Sequence, residues 1–222
     1  MISIFTRPAF IGNKYPEHTK ESSTMRVSSR IRGDEIAAYL GAKLNPKEGY
    51  ENDVCIHVKP KYLDRVKDGD WVDYLDGLNL HYWLKDHPNV NVIASSDSSY
   101  EFLKSNLTNK IVLIPSHHIN IERFRRERTE ITTVGYIGSP SPIAFKEYEL
   151  IGERLKTIGL DFITCFNFKT REDAINLYRS IDIFLIGDLP KSDTHQKNPT
   201  KIINAASFGI PTIAHPVIGY KE

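Results

Sequence analysis

The sequence predicts an α/β fold built on mostly parallel sheets, and three observations lead there. Apolar runs of four to six residues recur along all 222 residues, separated by stretches with helical periodicity. The runs are rich in β-branched and aromatic residues and too short for helices. They are continuously apolar, as strands buried on both faces must be, and helices lie between them to cover those faces.

The elements follow in order. Ile2–Thr6 is a strand, and a polar loop runs from Pro8 to Thr24. Ser28-Ser29-Arg30-Ile31-Arg32-Gly33-Asp34 then precedes a helix with Ile36, Ala37 and Leu40 on one face. Strands Val54–Val58, Trp71–Leu75, Val90–Ala94 and Ile111–Ile114 complete the first set. Tyr100, Leu103 and Leu107 mark a helix, and Ser95-Ser96-Asp97-Ser98-Ser99 before it is a capping cluster. The second set of strands is Thr132–Ile137, Phe162–Phe166, Ile181–Ile186 and Pro211–Ala214. A helix covers Ile143–Ile158, where Ala144, Tyr148, Ile151, Leu155 and Ile158 recur at spacings of four and three. Another covers Arg171–Ser180. The last begins with Asn198 as N-cap and Pro199 at the first helical position, and stops at Gly209.

Ile114-Pro115-Ser116-His117-His118 and the charged stretch Ile121–Glu130 divide the chain. The expected organisation is residues 1–118, a charged linker over 119–131, and residues 132–222. Arg123, Arg125, Arg126 and Arg128 alternate with glutamates there, which reads as a solvated helix or linker and not as a nucleic-acid patch. Lys plus Arg number 29 against 28 Asp plus Glu, and the net charge of +1 gives no reason to expect nucleic acid or an acidic membrane as partner. Cys55 and Cys165 both sit in apolar strand-like runs, so buried reduced thiols are expected. No apolar stretch approaches the roughly 20 residues of a membrane span, and the opening strand is too brief for a signal peptide. A soluble cytoplasmic protein is the expectation.

The richest chemistry lies in the second set. Lys201 falls in the first turn of the last helix, where free N–H groups and an ammonium can hold an anion together. Gly135-Tyr136-Ile137-Gly138-Ser139-Pro140-Ser141-Pro142 ends a strand and opens a second helix, without the third glycine of the dinucleotide fingerprint. Both helix starts follow strands of one parallel sheet. Both therefore belong at its carboxyl edge, where open α/β sheets bind ligands. A diphosphate site is the expectation.

Pro199-Thr200-Lys201-Ile202-Ile203-Asn204-Ala205-Ala206-Ser207-Phe208-Gly209-Ile210-Pro211-Thr212-Ile213-Ala214 resembles the donor-site signature of GT-B glycosyltransferases, with family 4-like spacing. The resemblance covers roughly residues 132–222; the first half is similar mainly in strand–helix order, and in an Ile114-Pro115 crossover followed by His-His. It implies two Rossmann-like halves facing a cleft, and transfer of a sugar from a UDP- or GDP-sugar to an unidentified acceptor hydroxyl. It also implies no metal or other cofactor. Lys201 and Thr200 would contact the donor diphosphate, Gly138 and Ser139 would line it, and Lys146 would be the second basic residue. Asn204 stands where many members carry the glutamate that binds the donor ribose, and Gln196 where its partner glutamate would be. Glu222 is the candidate for a later glutamate of the family. Family members run longer, so a minimal version, a homodimer, a unit completed by a partner chain and a fragment all remain open. A non-catalytic sugar-nucleotide or glycan-binding relative is the alternative function.

Several other residues are candidates for the cleft. Arg30 and Arg32 follow the loop after the first strand and could meet phosphate or an acidic acceptor, or else pair with Asp34 or Glu35. Asp73, at the end of a short strand, is a candidate acceptor-side base, and Asp76 shares that position; a turn or cap role is the alternative. His117 and His118 at the crossover are candidates for proton transfer or phosphate binding, and His195 for approach to the nucleotide. The aspartates around Asp70 lack the spacing of a calcium loop.

Overall fold

The computed structural model describes residues 1–6, 30–60, 62–75, 80–116, 123–124, 126–138, 142–166, 171–187 and 199–215; at residues 30, 142–145 and 171 only the backbone is described. The predicted α/β class is what forms. Two sheets stand in sequence order, one of six strands and one of four, and every strand pair is parallel.

The first sheet contains β1 (Ile2–Thr6), β2 (Lys43–Leu44), β3 (Val54–Val58), β4 (Trp71–Tyr74), β5 (Asn91–Ala94) and β6 (Ile111–Leu113), in spatial order β2-β1-β3-β4-β5-β6. A six-residue π-helical turn, Arg30–Glu35, runs into α1 (Ile36–Leu40). Gly33 lets that turn press on β1: a Cβ there would meet the Thr6 methyl at 2.0 Å. Helices α2 (Leu80–Lys85) and α3 (Asp97–Asn106) cover the β4–β5–β6 end. Their Leu84 and Leu103 pack with Val72, Tyr74, Val92 and Ala94 in one cluster, whereas Ala37 of α1 packs with Ile4 and Val58 on the opposite face. The serine cluster caps as expected, at Ser96, four residues before Tyr100. Ser96 accepts from the Ser99 N–H at 3.2 Å while the Ser99 hydroxyl accepts from the Ser96 N–H at 3.1 Å.

The second sheet contains β7 (Thr133–Ile137), β8 (Asp161–Cys165), β9 (Ile183–Ile186) and β10 (Thr212–Ala214), in order β10-β9-β7-β8. Its helices are α4 (Pro142–Lys156), α5 (Arg171–Ser180) and α6 (Thr200–Ser207). Tyr178, Ile181, Phe184, Ile186 and Phe208 form the core on the α5–α6 face. Pro199 occupies the cap position of α6 and not its first helical residue, a shift of one from the expectation. Gly209 stops the helix with φ of +64°, a conformation that costs a glycine little.

Two expectations about charged residues are corrected. Arg126 and Arg128 are not merely solvated: both bind Asp182, whose residue surface is 0% exposed. Arg126 Nη2 lies 2.6 Å and Arg128 Nε 2.9 Å from Asp182 Oδ1, and the backbone N–H groups of Thr132 and Thr133 each donate to Oδ2 at 2.8 Å. Burial pushes the Asp182 carboxyl up, but those two N–H groups, Arg128 and Arg126 outweigh it and hold it below the usual range. Arg32 turns to Asp73 and away from any pairing with Asp34 or Glu35. Its Nε and Nη2 donate to the two Asp73 oxygens at 2.5 and 2.7 Å, with both side chains buried. Nη1 reaches Ser116 Oγ at 3.0 Å and the Ile114 carbonyl at 3.3 Å. Both cysteines are free thiols; Cys55 is buried and Cys165 only half-buried. Among the described residues no helix is long and apolar enough to cross a membrane.

Candidate functional site

In the second sheet the chain leaves β7 toward β8 and leaves β9 toward β10, in opposite directions from two adjacent strands. Open α/β sheets bind ligands at the carboxyl edge beside such a reversal of strand order. β7 is buried at every residue, and its alternation points Tyr136 and the following Gly138 to the same face. A Cβ on Gly138 would meet the Tyr136 hydroxyl at 2.1 Å, so only glycine keeps that phenol at the strand end. Tyr136 stacks on Tyr148 of α4, ring centroids 4.1 Å apart, and Tyr148 donates to the Gly187 carbonyl just beyond β9 at 3.3 Å. One pair of rings thus links the carboxyl ends of β7 and β9.

Lys201 enters from the first turn of α6. Its ammonium lies 4.8 Å from the Tyr136 ring centroid and 3.4 Å from the phenol oxygen. The electron-rich ring face offsets the cost of placing a cation at the positive end of a helix. Pro199 has no side chain able to cap α6, in contrast to Ser96 of α3, and supplies no side-chain hydrogen bond to the first turn. The arrangement presents backbone N–H groups and one ammonium beside a glycine, which suits an anion at that edge. No protein-family model matches this sequence, and no curated protein matches it either.

Of the expected donor set, Gly138 and Lys201 both lie at the Tyr136 hydroxyl, and Thr200 begins the helix that carries Lys201. Lys146 stands exposed on α4. Asn204 points away from the edge: it is 8% exposed and hydrogen-bonds the Tyr178 hydroxyl inside the core. Burial pushes that phenol well above its usual range, with Asn204 pulling the other way. Asp73 has both oxygens engaged by Arg32, with both side chains buried. Arg30 has its backbone in the π-helical turn. His117, His118, Ser139, His195, Gln196, Asp76 and Glu222 lie outside the described residues. Among the described residues no group of three or more His, Cys, Asp or Glu is placed to hold a metal ion.

Tyr136 and Tyr148 are the site residues that sequence reasoning missed. A signal for Tyr136 was present: a tyrosine two residues before a strand-ending glycine shares its face. Tyr148 was counted only as one apolar position of a helix.

Proposed function

We propose that the chain is a glycosyltransferase, with the diphosphate of a UDP- or GDP-sugar at the carboxyl ends of β7 and β9 and the first half facing it across a cleft. The observation that carries this reading is the meeting of Gly138 and Lys201 at the Tyr136 hydroxyl, at the switch point of a parallel sheet. In the reaction the acceptor oxygen forms a bond to the anomeric carbon while the bond to the phosphate oxygen breaks. The diphosphate leaves with the electron pair, and the acceptor proton passes to a base. Lys201 and the first turn of α6 neutralise the charge that grows on the leaving group. No metal is assigned a part. Incubation of the protein with UDP- and GDP-sugars, with release of UDP or GDP followed over time, tests the activity. Slow donor hydrolysis that drops at least tenfold in Lys201→Ala supports it, and parental turnover in that variant refutes the role of the lysine.

A binding protein without transferase activity is the second reading. One observation favours it: Asn204 is committed to Tyr178, where the resemblance would have a residue on the donor ribose. That reading predicts sugar-nucleotide binding with no hydrolysis at all.

A further inference from the structure

The first sheet carries a second candidate site, on a face that the donor reading does not use. Crossovers β2→β3, β3→β4, β4→β5 and β5→β6 all move in one direction across the sheet. Right-handed connections of that kind lie on one common face. The last two carry α2 and α3. The first two carry no α-helix among the described residues, only a short 3-10 turn at Leu63–Arg65. Pro46 and Pro60 break helical continuation in them. Asn45 and Lys59, at their starts, are left-handed with φ of 47° and 51°. Residues 45–53, 59–60 and 62–70 therefore stand over β1 and β3 where helices would otherwise pack, and between them is a cavity of about 740 Å³. That size is within the range of small-molecule sites.

Its lining has two parts. Rings furnish the interior. Phe5 and His57, register partners on β1 and β3, stack at 4.9 Å, and Tyr50 meets Phe5 edge-on at 5.1 Å. Cations furnish the rim: Arg65, over the Tyr62 ring at 5.1 Å, with Lys47 and Lys67, all exposed. Among the described residues none of these three cations makes an ion pair. The inner carboxylates are already engaged. Asp53 is held low by Lys43 at 2.9 Å and by the Ser3 hydroxyl at 2.7 Å. Asp70 accepts from His57 Nε2 at 3.0 Å and from the Lys67 N–H at 2.9 Å. Burial holds His57 below its usual range despite Asp70, so the ring is neutral and this contact is a hydrogen bond. Cys55 beside it is no nucleophile, because burial and the nearby Asp70 and Asp53 push its thiol up. With Asp53 and Asp70 engaged, the cavity presents aromatic walls under a rim of three cations and one exposed carboxylate, Glu51.

We propose that this cavity binds a small ring-bearing monophosphate, its ring against Phe5, Tyr50 and Tyr62 and its phosphate on Arg65, Lys67 and Lys47. Aryl and glycosyl rings share this chemistry, since both pack flat faces on aromatic side chains. The test is titration of the full chain with phenyl phosphate, glucose 6-phosphate and inorganic phosphate, read from the NMR signals of His57 and Tyr50. At least one ring monophosphate saturates with a Kd tenfold or more below that of inorganic phosphate, and which one does so identifies the ring. Arg65→Glu with Lys67→Glu, two exposed positions that leave the core intact, weakens that binding tenfold or more, and Arg65→Lys restores most of it in the Lys67 background. The proposal is overturned if neither compound binds more tightly than inorganic phosphate, or if the charge-reversed variant binds as the parent does.

Discussion

Asp73 and Asp182 are both buried carboxylates gripped by arginine, one in each sheet, but they fasten different things. Asp73 lies near the carboxyl end of β4 and receives Arg32 from the π-helical turn, a guanidinium that also reaches Ser116 beyond β6. Asp182 lies at the amino end of β9. It takes two arginines from the segment between the sheets and two backbone N–H groups at the start of β7. The first pair braces the edge of a sheet that can bind ligands; the second nails a connecting segment to the opposite edge. The two differ in degree: loss of Asp182 orphans two backbone N–H groups, whereas loss of the first pair removes one donor from the Ile114 carbonyl.

Substitutions can break that comparison. Asp73→Ala leaves a buried guanidinium with no counter-charge and should lower stability by about 4 kcal/mol in urea denaturation. Asp182→Ala should cost about 3 kcal/mol: Arg128 can turn to water, which lessens the loss, although Thr132 and Thr133 lose their acceptor, which adds to it. Replacing both members of the first pair, Arg32→Leu with Asp73→Leu, should recover part of the Asp73→Ala loss, since no unpaired charge stays buried while the Ile114 carbonyl and Ser116 hydroxyl lose a donor. A paired replacement should recover less for Asp182. If the double leucine variant is as unstable as Asp73→Ala, the contrast between the two aspartates fails.

Acid sharpens it. The folded pKa of Asp182 is depressed, so its contribution is complete above the usual carboxylate value of about 3.9 and is lost as pH falls below it. His57 is also depressed in the fold, so unfolded chains take up its proton first, and stability falls as pH drops below about 6.5. A plot of denaturation midpoint against pH should show both limbs, the upper one missing in His57→Gln and the lower one in Asp182→Asn. The smallest effect compares two helix starts: Ser96→Ala should cost about 1 kcal/mol by loss of the α3 cap, and Pro199→Ala, which removes no cap, much less.

The strands were legible nearly to the residue. Ile2–Thr6 and Val54–Val58 form as read, and the others differ by a residue or two, because continuous apolar runs between breakers leave no other placement. β2 escaped notice since two residues, Lys43–Leu44, carry no pattern, and so did α2 over Leu80–Lys85, where aromatic residues obscure the periodicity. Pairing was not legible. Arg32 has Asp34 and Glu35 as sequence neighbours and yet binds Asp73, 41 residues away, and Arg126 binds Asp182 across 56. Local spacing is silent about partners that only the sheet brings together. Lys201 was visible from the helix start, but the ring that holds it required the face alternation of β7. The cavity over β1 and β3 depends on two crossovers lacking helices, a fact that acquires meaning only with the strand order.

The most direct test of the donor site is a titration of the isotope-labelled chain with UDP and GDP, followed by amide NMR shifts. The account predicts that Gly138, Lys201 and Ile202 move together and saturate with one Kd, and that Lys201→Ala raises this Kd at least tenfold. Saturation that moves none of these amides, or unaltered affinity in Lys201→Ala, would contradict it.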